Sequence, residues 1–309
     1  MKYYTGIEIG GTKLQLVVGD EQLNIIEHFR YNVNKEKGAA GIREQIESTI
    51  LNEILEKYSP VSIGVGYGGP VDHVTGKVRV SHHIGGWSGF ELSSWLHNIS
   101  GLPVKVDNDA NTASLGEAVK GAGQLYDKVF YVTLGSGMGG GLVIGKELFH
   151  GNMPGESEIG LTLFDKSGAN FESRCCGWAV DGKVRQYVAD HPETILAQLV
   201  GEVEKSEAQF LLPAIQQDDA GAIQILESTA DDLAFGLSHI VHLFNPEVII
   251  IGGGLSLIGD PILDYVKKHI GKYLTKAFQP GPEIKLASLG EDVVGIGALL
   301  LAKAVSEKL

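Results

Sequence analysis

One short pattern occurs twice in this chain. Tyr3 to Ile9 and Leu14 to Val18 are runs rich in Ile and Val on either side of Gly10-Gly11-Thr12-Lys13, and Phe130 to Leu134 and Gly141 to Ile144 flank Gly135-Ser136-Gly137-Met138-Gly139-Gly140 in the same way. β-Branched runs around a glycine cluster read as strand, tight turn, strand. A hairpin opening each half points to two related α/β domains, which the length of 309 residues also suggests at roughly 100 to 200 residues per domain.

The stretches between the hairpins fit that plan. Residues 41–58 place Ile42, Ile46, Ile50 and Ile54 four apart, as on an amphipathic helix, and Val61 to Val65 reads as the next strand. Glu91 to Ile99 forms a short helix, and Pro103 to Val106 a buried strand. That strand runs into Asp107-Asn108-Asp109-Ala110-Asn111-Thr112, a polar knot ahead of a helix over Ala113 to Val119. Polar groups at strand ends are where α/β proteins carry out their chemistry. Residues 179–243 are largely helical, broken by Pro192 and Pro213; Val248 to Ile251 is a strand closed by Gly252-Gly253-Gly254. A last helix covers about 293–307. The expected domains are 1–119, with 293–309 packing back on it, and 120–292, with hinges near 110–125 and near 290.

Glycine accounts for 42 residues, about twice the ordinary ~7% usage. Gly64, Gly66 and Gly69, and again Gly135, Gly137 and Gly140, match G-x-G-x-x-G. Pro70 follows the first and a β-type run the second, whereas a dinucleotide fingerprint needs a helix opening on the pyrophosphate. The Gly-Lys pairs at 76, 145, 182 and 271 precede Val, Glu, Val and Tyr, so no Walker-type loop is present. What remains is a pair of hairpin turns. Each either uses glycine for positive φ alone or brings backbone N–H groups close to anionic oxygens, and two such turns facing one another would grip a triphosphate.

The net charge of −13 disfavours nucleic acid and anionic membrane surfaces as partners. Two adjacent cysteines, Cys175 and Cys176, make no disulfide framework, which fits a reducing cytosol. The N-terminus has no basic region ahead of an apolar core, and the longest apolar stretch, Val293 to Ala302, is far short of the ~20 residues a membrane span needs. A cytoplasmic protein is expected.

Taken in order, Gly6-Ile7-Glu8-Ile9-Gly10-Gly11-Thr12-Lys13, Gly85-Gly86-Trp87, Asp107-Asn108-Asp109-Ala110-Asn111, Gly135 to Gly141, Gly151 to Gly160 and Ile251-Gly252-Gly253-Gly254-Leu255-Ser256 resemble the ROK family of sugar kinases and sugar-responsive repressors, over nearly the whole chain. The resemblance implies a two-domain actin-like, ribonuclease-H-like ATPase fold with ATP and sugar in the interdomain cleft. It implies that Gly10, Gly11, Thr12 and Lys13 with Gly135, Ser136 and Gly137 hold phosphates, that Gly252, Gly253 and Gly254 flank adenosine, and that Asp109 is the catalytic base. Asn108, Glu158 and Gly69 are implied on the sugar. A hydroxyl attacking a γ-phosphoryl needs a carboxylate to take its proton, as that assignment supplies. Asp109 read in isolation is a helix cap.

Four positions depart from the family pattern. Glu8 replaces the usual Asp associated with Mg2+ and either slows turnover or reaches the same water shell by another rotamer. Leu161 replaces a His that in relatives touches the sugar and ligates zinc, and the family's cysteine cluster has shrunk to Arg174-Cys175-Cys176-Gly177-Trp178, so no zinc is expected. His82-His83-Ile84 stands where the family has Pro-Asn-Leu; His83 either contacts the substrate or is a surface-loop histidine.

The leading expectation is an ATP- and Mg2+-dependent kinase of a glucose-like hexose or an N-acetylated amino sugar, as a homodimer. A repressor is disfavoured because the first hairpin starts at Gly6, leaving no room for a winged helix, and by the negative charge. A catalytically idle sugar-binding or regulatory protein is the alternative.

Overall fold

The computed structural model describes residues 2–81, 84–152 and 157–307. The chain divides into two compact units: residues 1–124, 141–156 and 289–309 form the first, and 125–140 and 157–288 the second.

The first unit is built on a sheet of β1 (Tyr4–Ile9), β2 (Lys13–Gly19), β3 (Ile25–Asn32), β4 (Ile63–Tyr67) and, after the small ribbon β5 (Val71–Asp72) and β6 (Lys77–Val78), β7 (Val104–Asn108). Its order is β3-β2-β1-β4-β7; β1 to β3 are antiparallel, and β4 and β7 join β1 in parallel. One face carries α1 (Gly38–Thr49), α2 (Leu55–Tyr58) and α3 (Leu92–Ser100), with Ile42, Ile46, Ile50, Ile54, Trp87 and Leu92 packed on Ile7, Leu14 and Leu16. A four-residue spacing drifts by about 40° per repeat on an α-helix of 3.6 residues per turn. The π turn at Ile50–Ile54 is wider and absorbs that drift, so all four isoleucines stay buried.

The other face carries α4 (Asp109–Lys120) and, at the far end of the chain, α11 (Val293–Ser306). Close approach here depends on missing side chains: a Cβ on Gly64 would lie 1.9 Å from the Ala298 carbonyl oxygen, and one on Gly297 would lie 1.8 Å from that of Thr112. The Ser62 hydroxyl donates to the Ala302 carbonyl at 2.6 Å.

The second sheet has the order β10-β9-β8-β11-β12, from β8 (Lys128–Leu134), β9 (Met138–Ile144), β10 (Glu147–Leu148), β11 (Val248–Gly252) and β12 (Glu283–Leu286). Chain order along this sheet repeats that of the first, as the duplicated hairpin predicts. The intervening helices are α5 (Glu172–Cys175), α6 (Gly177–Asp190), α7 (Ile195–Val200), α8 (Leu211–Ile215), α9 (Ala220–Phe244) and α10 (Asp260–Tyr273). Among the described residues no helix is long and apolar enough to cross a membrane.

Two boundaries differ from the sequence reading. Residues 110–120 are helix, so the chain leaves the first unit only after Gln124. Residues 141–156, read as part of the second domain, group with the first. Lys146 Nζ there donates to the carbonyls of Ala118, Gly123 and Gln124 at 2.9, 3.2 and 2.9 Å. Contacts made at such sequence distances leave no local pattern.

Candidate active site

In the first unit, β1 hands over to the glycine turn at Ile9. The Gly10 N–H donates to the Lys13 carbonyl at 2.9 Å, closing the turn, and a Cβ on Gly11 would meet nothing within 4 Å. The backbone of this turn is thus open to an anionic oxygen. Thr12 is exposed. Lys13 Nζ lies 3.2 Å from Glu8 Oε2 and donates to the Glu291 carbonyl at 3.3 Å. Burial raises the Glu8 carboxyl above its ordinary 4.5, against the pull of the Lys13 ammonium. Glu8 Oε2 is buried and has no aligned hydrogen-bond donor among the described residues.

Asp109 stands at the next strand end. The Gly68 N–H donates to the Ile9 carbonyl at 2.8 Å, and a Cβ on Gly68 would lie 3.2 Å from that oxygen, 3.3 Å from Asp109 Oδ2 and 3.5 Å from the Gly10 Cα. Gly68 therefore marks where β1, its turn and the Asp109 carboxylate converge, and a side chain there would part them.

The helix cap is Asn108 rather than Asp109. Asn108 Oδ1 accepts from Ala110 N at 2.8 Å and Asn111 N at 3.2 Å, so α4 starts at Asp109 and not at Ala113 as the sequence predicts. Its Nδ2 donates to the Gly69 carbonyl at 3.2 Å, bringing those two sequence-predicted residues together. Asp109 Oδ1 accepts from Ala110 N at 2.9 Å, in the first turn of α4, where the helix dipole favours negative charge. Burial raises the Tyr67 hydroxyl above 10.0, and the Asp109 charge adds to the rise.

The second unit repeats the turn with different surroundings. The Gly135 N–H donates to the Gly137 carbonyl at 3.0 Å, and the Gly135 carbonyl accepts from Gly177 N at 2.7 Å. Met138, Gly139 and Gly140, read as part of the turn, belong to β9 with Gly141. Glu172 Oε2 accepts from Met138 N at 2.9 Å. Gly252 ends β11; Gly253, at φ 80°, presses on the Leu134 backbone, where a Cβ would come within 2.6 Å. Gly135, Ser136 and Gly254 thereby line one cavity of about 520 Å³, together with Trp178, Gln209 and Leu257. The walls are mainly apolar, and Trp178 is 64% exposed at the cavity. Sequence reading named Gly135, Ser136 and Gly254 as nucleotide-binding residues but missed the rest of the wall, which comes from α6, from the chain around Gln209 and from the turn after β11.

Glu158 is exposed at the start of a 3-10 turn, Ile159–Leu161, and Leu161 is exposed as well. His83 lies outside the described residues. Cys175 and Cys176 are both buried, and desolvation pushes the Cys175 thiol up to about 12. Among the described residues no group of three or more His, Cys, Asp or Glu side chains is placed to hold a metal ion.

The ROK family model matches residues 4–305. The chain is 30% identical to a glucokinase of Halalkalibacterium halodurans, over 98% of this chain and 95% of that protein. It is likewise 30% identical to a glucokinase of Thermotoga maritima, over 96% of each. In three dimensions it is similar to a ROK family glucokinase from Streptomyces griseus in complex with glucose and AMPPNP, with a TM-score of 0.86, 30% identity, and coverage of 98% of this chain and 99% of that one. The fold is the two-domain actin-like ATPase fold of ROK sugar kinases. Family model, relatives and repeated sheet order agree, and the chain is a member of the ROK family.

Proposed function

We propose that this protein is an ATP-dependent sugar kinase acting on a glucose-like hexose or an N-acetylated amino sugar, with Asp109 as general base. The observation that carries the reading is the convergence at Gly68, which sets the Asp109 carboxylate beside the open Gly10-Gly11 turn. Support from outside the chain comes from the glucokinase relatives and from the glucose and AMPPNP in the similar structure.

In this reading Asp109 takes the proton of the attacking sugar hydroxyl as its oxygen bonds to the γ-phosphorus and the bond from that phosphorus to the bridging oxygen breaks, releasing ADP. Asn108 fixes the first turn of α4 and Glu158 accepts hydrogen bonds from other hydroxyls; bonds to a charged acceptor are worth roughly 1.5 to 3 kcal/mol each. The amides of Gly11 and Thr12, with Lys13, and those around Ser136 bind phosphate oxygens. The cavity of about 520 Å³ takes the nucleoside, its volume falling within the range of roughly 300 to 1,000 Å³ for ligand pockets.

Mg2+ accepts one or two carboxylates and keeps several waters, and the buried Glu8 oxygen without an aligned donor fits it. Glu8 would hold the ion, which when bound neutralises charge on the β- and γ-phosphate oxygens.

A coupled ADP-release assay with Mg-ATP over hexoses and amino sugars tests the proposal. Sugar-dependent ADP release is expected. Its absence with every sugar leaves the idle binding protein.

A further inference from the structure

Asp107, two residues before the proposed base, is 1% exposed and carries a full set of partners. Its Oδ1 accepts from Asn108 N at 2.9 Å and from Asn111 Nδ2 at 3.0 Å, and its Oδ2 faces His150 Nε2 at 2.8 Å. The His150 ring stacks on that of His73, with centroids 3.8 Å apart and planes at 11°. All of these residues belong to the first unit.

The chain of contacts leads to the site in one direction. His73 holds the His150 plane, and His150 fixes one Asp107 oxygen. The other oxygen grips the Asn108 backbone and the Asn111 side chain, and the Asn108 side chain caps the amides of Ala110 and Asn111. Asp109 lies inside this bracket. A buried carboxylate that loses one partner must turn toward others or be left partly unsatisfied, and either outcome frees the strand-to-helix joint.

We infer that His150 is a positioning residue for Asp109, acting through Asp107 to hold the first turn of α4. This rests on the kinase reading above. Its role is to keep the base in register with the acceptor hydroxyl, where a misplacement of about 1 Å costs on the order of a hundredfold in rate.

The test compares wild type, His150→Leu and His150→Gln, because the Gln side-chain amide can still donate to Asp107 where imidazole Nε2 does. Expected for His150→Leu is a fall in kcat of about tenfold to a hundredfold with sugar KM within a few-fold, and for His150→Gln recovery of most of the rate. Amide hydrogen exchange at Ala110 and Asn111 should quicken in the Leu variant and not in the Gln variant. Exchange needs no turnover, so it reads the inference even if the wild type proves inactive on every sugar, a result that sinks the kinase reading alone. Unchanged exchange in His150→Leu overturns the inference, as does a Gln variant as slow as the Leu variant. If His150→Leu does not fold, Asp107→Asn takes its place: it retains the acceptor for Asn108 and loses the charge facing His150. The same fall in kcat and the same faster exchange are then expected, and wild-type values for both overturn the inference.

Discussion

The two glycine turns share a place in the same strand order and have diverged in what surrounds them. The turn at Gly10-Gly11-Thr12 is flanked by charge, with Glu8 against Lys13 and Asp109 beside Gly68. The turn at Gly135-Ser136-Gly137 borders a mainly apolar cavity with Trp178 on its wall. Topology alone thus predicts where each turn lies and says nothing of its task. One turn is set among the charged groups Glu8, Lys13 and Asp109, the other beside an exposed indole ring on an apolar wall.

Five substitutions bear on this division, taken from the largest effect to the smallest. Asp109→Asn should lower kcat by about 10² to 10⁴ with little change in sugar KM; a loss under tenfold in steady-state assays removes Asp109 from the mechanism. Gly253→Ala places a Cβ into the Leu134 backbone at positive φ, so thermal or urea unfolding should show a loss of about 2 kcal/mol or more. Gly11→Ala meets nothing within 4 Å and should melt like the wild type while weakening ATP binding. Equal melting of the two glycine variants would erase the contrast between an open turn and a packed one.

Trp178→Ala should raise the KM for ATP about tenfold and leave kcat nearly unchanged, since base-on-aromatic stacking is worth roughly 1 to 3 kcal/mol. An unaltered ATP KM takes the base out of that cavity. The smallest effect concerns Glu8. Its folded-state pKa is raised by burial, so its contribution to stability is complete below 4.5 and declines as pH rises through the raised value. Activity that needs the ionised carboxylate runs the other way and falls as pH drops through the same value. Glu8→Gln should flatten both slopes; pH series of melting temperature and of kcat/KM for ATP give the answer, and parallel curves for the two proteins would contradict it.

Much of the fold was legible because its signals are local. The two hairpins, the isoleucines from Ile42 to Ile54 and the small-residue face of α11 each carry a dense pattern over a few turns or strand residues. β3 was not read: it alternates half-buried and exposed positions at a sheet edge, and its Glu27, His28 and Arg30 dilute the apolar signal. β12 is four residues with charges at Glu283 and Lys285. At the site, Asn108 and Asp109 stood out through their polar cluster, although which of them caps α4 is decided by side-chain geometry. Of the apolar cavity's walls, Gly135, Ser136 and Gly254 carried a motif, whereas Trp178, Gln209 and Leu257, far apart in sequence, did not. The His150 to Asp107 contact joins residues from different segments and was likewise silent.

The position of α11 has a consequence for biosynthesis. The helix rests on β4 and α4, with Gly64 and Gly297 shaped to receive it, although most of the second unit lies between them in sequence. A nascent first unit has α4 on that face of its sheet but lacks α11 until residues 157–288 have been made. A frameshift or premature stop just upstream of residue 293 would therefore keep every residue of the cavity-bearing unit while removing α11 from the Asp109-bearing unit.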